Sequence, residues 1–374
     1  MGPSFGSTTM SVGLDIGTDH IRVAQVVPRG ASFALTGYGM IGIPMGAVAD
    51  GEIVDTEAVS TAIRELWRRA GIKTKNVVIG VSNQKVVVRL IDMQYMERAE
   101  LAGAIQYQAQ DYIPIPVEDA ILDFQVIGDY MTSSDEHMME VLLVAAQRDM
   151  IGASVAAVEA AGLKLQQIDV TTFAIVRGLM GVTPSVLPEE TVEGEAVGVI
   201  HITSGITNIA VVEKGVPRFT RVSALAGNEF TQAIANVLNL TFDEAEDLKI
   251  QVGLPDVEQH VAPEVPGVDP QRAQMAQDAL EREVGKFIAE VRRSLDYYLT
   301  QATQVRTIRK ILLTGSGAQL RNLAGYLEKG LQAEVVLADP LAQVQVAAGI
   351  QQMVNEDRMG CCAAIGLALG SVAS

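Results

Sequence analysis

The sequence predicts an α/β fold in which two related domains face one cleft, and three observations carry that prediction. Two strand–turn–strand segments share one plan, at residues 12–26 (VGLDIGTDHIRVAQV) and 197–212 (VGVIHITSGITNIAVV). Setting Ile16 on Ile202 also sets Val23 on Ile209 and Ala24 on Ala210, an offset of 186 residues that indicates an internal duplication. A strand at 308–314 then runs into Gly315-Ser316-Gly317 and a helix carrying Leu320, Leu323 and Leu327.

The elements between follow in order. Residues 1–9 are a small, polar leader preceding a start at Met10, and stand outside the fold. Residues 58–69 place Val59, Ala62, Ile63 and Leu66 on one helical face, and strands are expected at 77–81 and 86–91. A helix over 98–112, with Leu101, Ala102, Ile105 and Ala109 at helical spacing, is stopped by Pro114 and Pro116. Strands at 120–126 and 138–146 and a helix at 148–161 complete a block that reads as an inserted subdomain of roughly 80 residues, below the usual domain size. The acidic, proline-bearing stretch 183–195 suits an interdomain connection. Beyond it, Phe230, Ile234, Val237 and Leu238 mark a helix, and Thr241 with Glu244 forms a capping box. Residues 252–269 read as an exposed excursion, and 280–299 carry the longest helical stripe.

A chain of 374 residues with 48% apolar residues is long enough for two cores. Its net charge of −17 excludes a nucleic-acid or anionic-membrane binder, since no basic stripe exists to displace counterions. No apolar run reaches the roughly 18–20 residues needed to cross a bilayer, and no signal peptide is read at the start. Cys361 and Cys362 are neighbours, a poor arrangement for a disulfide, and read as reduced packing thiols.

A nucleoside triphosphate needs main-chain amides near its phosphates and a carboxylate near its magnesium. In the first turn Gly17, Thr18 and Asp19 offer amides, His20 and Arg22 follow, and Asp15 ends the strand. In the second, Ser204, Gly205, Ile206 and Thr207 occupy the matching place. Gly315, Ser316 and Gly317 offer flat backbone to an adenine or ribose. Each turn alone equally fits an ordinary tight connection, and the third also a dinucleotide site.

Together and in this order, the three turns resemble the actin, sugar kinase and heat-shock chaperone ATPase superfamily. That resemblance implies a duplicated actin-like (ribonuclease H-like) fold with ATP and Mg2+ between its domains. It makes 168–179 (IDVTTFAIVRGL) the first connecting helix and sets Asp169 near the attacking water, though Asp169 also reads as a helix N-cap. Three longer strings, 109–124 (AQDYIPIPVEDAILDF), 227–249 (GNEFTQAIANVLNLTFDEAEDLK) and 290–300 (EVRRSLDYYLT), resemble the PilM family of type IV pilus assembly.

The PilM resemblance implies that Glu246 and Lys249, with Gly227 and Asn228, contact the nucleoside. It makes 85–162 the relocated small subdomain shared with the division protein FtsA. A groove beside that subdomain would accept the N-terminal cytoplasmic tail of PilN, an inner-membrane protein, with Tyr107, Tyr112, Ile113, Pro114 and Ile115 along its wall. Domain I is expected over 11–190 and domain II over 191–357, with a small subdomain at 227–285. A C-terminal helix at 358–374 returns to domain I. The implied setting is the cytoplasmic face of the inner membrane, without insertion into it, and other pilus platform proteins, motor ATPases and self-association are further implied contacts.

One departure from the superfamily stands out. His201 and Thr203 replace an acid and a glycine in the second turn, which removes a carboxylate that orders magnesium and water, so binding of ATP with little turnover is expected. A small-molecule kinase of the same fold would need a positioned carboxylate base, and none is found. An FtsA-like membrane-tethered filament protein should end in a basic amphipathic helix, whereas 363–374 is small and uncharged.

Overall fold

A computed structural model describes residues 10–182, 195–257, 265–302, 305 and 307–373. The expected leader (1–9), nearly all of the acidic connection (183–194) and part of the excursion (258–264) lie outside the described residues.

In the first half, β1 (Ser11–Ile16), β2 (His20–Arg29) and β3 (Ser32–Gly42) form an antiparallel meander, followed by a short ribbon of β4 (Val48–Ala49) and β5 (Glu52–Ile53). Helix α1 (Thr56–Ala70) leads to β6 (Asn76–Val81). Then come β7 (Val87–Gln94), α2 (Arg98–Gln108), β8 (Ala120–Met131), β9 (His137–Gln147), α3 (Arg148–Ala160), β10 (Lys164–Val170) and α4 (Thr171–Met180). The second half runs β11 (Glu195–Ile202), β12 (Thr207–Glu213), β13 (Val216–Ser223), α5 (Gly227–Leu238), α6 (Phe242–Val252), α7 (Pro270–Gln301), β14 (Thr307–Thr314), α8 (Leu323–Leu331) and β15 (Glu334–Leu337). It closes with β16 (Gln345–Val346), α9 (Gln351–Glu356) and α10 (Cys362–Ala373).

The two main sheets have one plan: β3-β2-β1-β6-β10 in the first, extended by β16, and β13-β12-β11-β14-β15 in the second. The duplication holds to the residue. Gly13 opposes Ala24 and Asp15 opposes Arg22 in the first hairpin; Val199 opposes Ala210 and His201 opposes Asn208 in the second. Each hairpin turn is closed by the equivalent bond, Gly17 N–H to the His20 carbonyl and Thr203 N–H to the Ile206 carbonyl, both 3.0 Å.

Local chemistry explains the helices. Asp55 caps α1 by accepting from Ala58 N–H, Gly71 ends it in the left-handed region at φ 65°, and Val59, Ile63 and Leu66 face the core. The capping box of Thr241 and Glu244 opens α6 as expected. Helix α7 begins at Pro270, earlier than the apolar stripe suggests. Asp269 caps it, and its first turns bury Ala273, Ala276 and Ala279, small residues that carry little hydrophobic signal.

The third sheet, β7-β9-β8, belongs to the insertion. Alternation along β9 gives it two apolar faces. Val141, Leu143 and Ala145 meet Leu101 and Ile105 of α2, while Leu142, with Val88, meets Val170 and Phe173 of the main body. Helix α3, assigned to the insertion from sequence, instead buries Ala157 and Val158 in the main core with Val59 and Ile63. The insertion's own core is therefore the sheet and α2.

Small residues at the C-terminal end let α10 lie directly on α4 and β1. A Cβ on Gly366 would stand 1.8 Å from the Ala174 carbonyl oxygen, a contact only glycine permits. No helix among the described residues is long and apolar enough to cross a membrane.

A buried ion pair ties the first hairpin to the chain's last segment. Arg22 Nε and Nη2 donate to Asp357 Oδ2 and Oδ1 at 2.6 and 3.1 Å, and the Tyr38 hydroxyl donates to the same carboxylate. Removing one partner would strand a buried charge, so Asp357→Ala is expected to cost about 3–5 kcal/mol, read as a lowered denaturation midpoint.

Candidate functional site

The two equivalent turns meet across the domains. Both leave the ends of central strands, β1 and β11, and Asp15, Gly17, Thr18 and Asp19 line one cleft with His201, Thr203, Ile206 and Asn208. The Thr18 side chain lies against Gly205, where an added Cβ would stand 2.3 Å from the Thr18 hydroxyl. At the middle of each turn, the amides of Thr18, Asp19, Ser204 and Gly205 donate to no acceptor among the described residues. Free main-chain amides in two facing turns are the kind of feature from which an anion site can be built.

Charge is uneven across this cleft. Burial raises the Asp15 carboxyl to about 6, with Arg22 opposing the rise and Asp357 and Asp19 adding to it. Burial also pushes Asp19 up, but His20 at 3.0 Å, then the Ser204 hydroxyl and the Arg22 charge, together outweigh it and hold Asp19 at about 2. On the opposite loop His201 is 2% exposed, its Nδ1 has no partner, and burial followed by the Arg22 charge lowers its pKa to about 3. His201 is therefore a neutral imidazole. Beneath both loops Asn208 Oδ1 accepts from Ser82 Oγ at 2.6 Å and Thr172 Oγ1 at 2.9 Å, a hydrogen-bonded tie across the domain boundary.

Several expected site residues are engaged elsewhere. Arg22 borders the cleft, but its guanidinium is paired with Asp357. Asp169 is corrected in both its expected roles: its Oδ2 pairs with Arg177 Nη1 at 2.9 Å, away from the cleft lining, and Val170 stands at the N-cap of α4. Thr207 is fully buried and donates to the Leu225 carbonyl. The amides of Gly227 and Asn228 are taken by the carbonyls of Thr203 and Ser204, so these residues brace the second loop. Glu246 and Lys249 form an ion pair at 2.6 Å, and Lys249 also donates to the Gly227 carbonyl and the Thr231 hydroxyl. Gly315 is left-handed at φ 92°, its amide donating to the Met359 carbonyl, and Ser316 and Gly317 open a short 3-10 turn against Ile202. Sequence reasoning missed Asn208, Ser82 and Thr172. The 186-residue offset applied to Arg22 lands on Asn208 and could have found it.

The expected partner-groove wall is also corrected. Ile113 is 4% exposed in the core of the insertion, where Tyr112 and Ile115 pack as well, and Tyr107 projects on the outer side at 92% exposure. Helix α2 and its following loop cover the outer face of the sheet, leaving the inner face for the seam. The groove between the insertion and the main body is lined by Gln125, Ile127 and Leu142, by Phe173, Val176, Arg177 and Met180 of α4, and by Gly215, Val216 and Pro217 of domain II.

The free amides of the two turns fit phosphate oxygens. The cleft residues fit magnesium less fully. Among the described residues no group of three or more His, Cys, Asp or Glu side chains is placed to hold a metal ion, so a magnesium here would rely on Asp15, waters and phosphate oxygens.

The family described as "Type IV pilus assembly protein PilM" matches residues 13–372. The structure of a PilM-PilN type IV pilus biogenesis complex aligns with 26% identity and a TM-score of 0.79, over 97% of this chain and 98% of that one. MreB5 of Spiroplasma citri bound to ADP aligns with 14% identity and a TM-score of 0.50, over 96% of this chain and 94% of that one, a likeness of fold alone. Among curated proteins, the cell division protein FtsA of Escherichia coli (strain K12) is 28% identical over 363 residues, covering 88% of this chain and 84% of the relative. The FtsA of Enterococcus faecalis is 24% identical over 357 residues, covering 89% and 79%. Twin sheets of one topology and a family match over nearly the whole length together establish that the chain belongs to the type IV pilus assembly protein PilM family and has the actin-like fold.

Proposed function

We propose that this chain is an ATP-binding scaffold of type IV pilus assembly that holds the N-terminal cytoplasmic segment of a PilN-type membrane protein and is thereby recruited to the inner face of the membrane. The observation that carries the nucleotide half is the meeting of two duplicated turns whose central amides have no protein acceptor. In this reading Thr18, Asp19, Ser204 and Gly205 hold phosphate oxygens and Asp15 faces the magnesium. Glu246, Lys249 and the Gly315–Gly317 turn lie toward the nucleoside. When bound, Mg-ATP supplies charge that bridges the two loops. The peptide half rests on the likeness to the PilM-PilN complex and on an apolar groove at the insertion seam, with Arg177 within it.

The second loop argues for binding over turnover. Neutral His201 and Thr203 supply no carboxylate to help order magnesium and its waters, and Asp169 is bound to Arg177. The scaffold then works through the different affinities of its nucleotide-bound and nucleotide-free states for the peptide.

Calorimetry with Mg-ATP on Asp15→Ala should show an affinity loss of tenfold or more, and unchanged affinity would remove the metal role. In a pulldown with the PilN-type segment, Ile127→Glu should abolish capture while Tyr107→Ala leaves it intact; the reverse pattern would move the groove to the outer side of the insertion. The depressed pKa of His201 lies below its unfolded value, so the folded chain resists protonation and loses stability as pH falls from about 6.5 toward 3. At pH 5 this amounts to about 2 kcal/mol, and His201→Gln should flatten that part of the stability profile, measured by chemical denaturation.

A further inference from the structure

The nucleotide cleft and the peptide groove share one structural element. Strands β12 and β13 form a hairpin whose open end, at the Thr207–Ser223 pair, adjoins the second phosphate loop, with Asn208 in the cleft lining. Its tip is a tight turn with Lys214 and Gly215 both at positive φ, 47° and 79°. Gly215, Val216 and Pro217 at that tip are the third wall of the groove, standing against the insertion and α4. Between the two ends the hairpin spans roughly 23 Å at the usual rise of a strand.

The tip is fastened on both sides. Arg218 Nη1 donates to Glu140 Oε2 on β9 at 3.0 Å, with both side chains partly buried. Glu213 accepts from the Tyr298 hydroxyl of α7. Glu140 stands two places from Leu142, a groove-wall residue on the same strand. The insertion, covalently part of domain I, is thus latched to domain II beside the groove.

We infer that the β12–β13 hairpin is the lever that couples the nucleotide cleft to the peptide groove, with the Arg218–Glu140 pair as its latch on the insertion. The inference rests on the reading that the cleft takes nucleotide and the groove takes peptide. Thr18 lies against Gly205 with no space for a side chain between them, so phosphate oxygens seated on the central amides would press on the contact between the two loops. A displacement at Ser204–Asn208 is carried along a hydrogen-bonded ladder to Val216 and Pro217. Through Arg218 it reaches β9, and the groove changes width. By reciprocity, peptide seated against Pro217 alters nucleotide affinity by the same factor.

Hydrogen–deuterium exchange on the full chain, with and without Mg-ATP, tests the lever without any peptide. Changed protection is expected at both turns, along 207–218, and on β9 around Glu140–Leu142. Change at the turns with none at 213–218 and β9 would overturn the lever while leaving nucleotide binding intact; no change at the turns would remove the nucleotide reading and the lever with it. Fluorescence anisotropy of a labelled PilN-type N-terminal segment gives the second readout. Mg-ATP should shift its affinity about 5- to 50-fold in the native chain and no more than about twofold in Arg218→Gln, whose nucleotide-free affinity is retained. The exchanged pair Arg218→Glu with Glu140→Arg should restore the shift. Equal coupling in Arg218→Gln and the native chain, or no coupling in the native chain, would refute the latch. A segment that binds in no nucleotide state would refute the peptide reading, and the exchange data alone would then decide the lever.

Discussion

Thr18 rests on the bare backbone of Gly205, and the way the two halves of this molecule face each other depends on that approach. A side chain at residue 205 would hold the loops apart. Below it, Asn208 draws Ser82 and Thr172 of the first domain onto one carboxamide oxygen. To one side, Asp357 holds Arg22 of the first hairpin while Met359 accepts from Gly315 of the third turn. At the cleft itself the halves therefore meet through polar contacts. Behind the cleft the halves also share an apolar seam, where Ile175, Val176 and Leu179 of α4 pack with Val199, Ala210 and Val212 of the second sheet and Cys362 of α10.

Duplication has kept the geometry of the two hairpins and let their chemistry diverge. The strand registers and turn closures superpose, yet Asp15 faces His201 and Arg22 corresponds to Asn208. In the first hairpin the cross-strand pair is an acid and a base; in the second it is an imidazole and an amide. Burying charge without a partner is costly, and the second hairpin avoids this by being neutral. The first keeps its charge because Asp357 reaches Arg22 from the far end of the chain and is itself held by Tyr38 of the neighbouring strand. The result is a polarised cleft, acidic on one lip and neutral on the other.

What was legible in the sequence followed the range of the interactions. Turn glycines, the capping box at Thr241, the stripe of α7 and the duplication are local or periodic signals, and they led to the fold and to the cleft. Residues whose role depends on a distant partner were misread. Arg22 finds Asp357 at a separation of 335 residues, and Asp169 finds Arg177 one helix away; neither partner announces itself by spacing. The loop after α2 read equally as a groove wall or as a buried loop, and Ile113 anchors it in the insertion's core. Which face of the insertion would be open was undetermined by alternation alone, since β9 is apolar on both sides.

That two-faced strand explains why an insertion can serve as more than an ornament on this fold. A sheet with one polar face would sit on the main body as a passive cap, whereas β9 presents apolar side chains to its own helix and to α4 at once. The inner packing is incomplete at the seam, where Gln125, Ile127 and Leu142 border open groove instead of core. Covering that apolar edge is favourable at roughly 25 cal/mol for each Å2 removed from water, so an extended segment gains most by lying along it. Because the third wall of the groove comes from domain II, the area available for burial depends on the relation of the two domains. Through one extra sheet the fold thereby gains a second concave surface whose walls come from both halves.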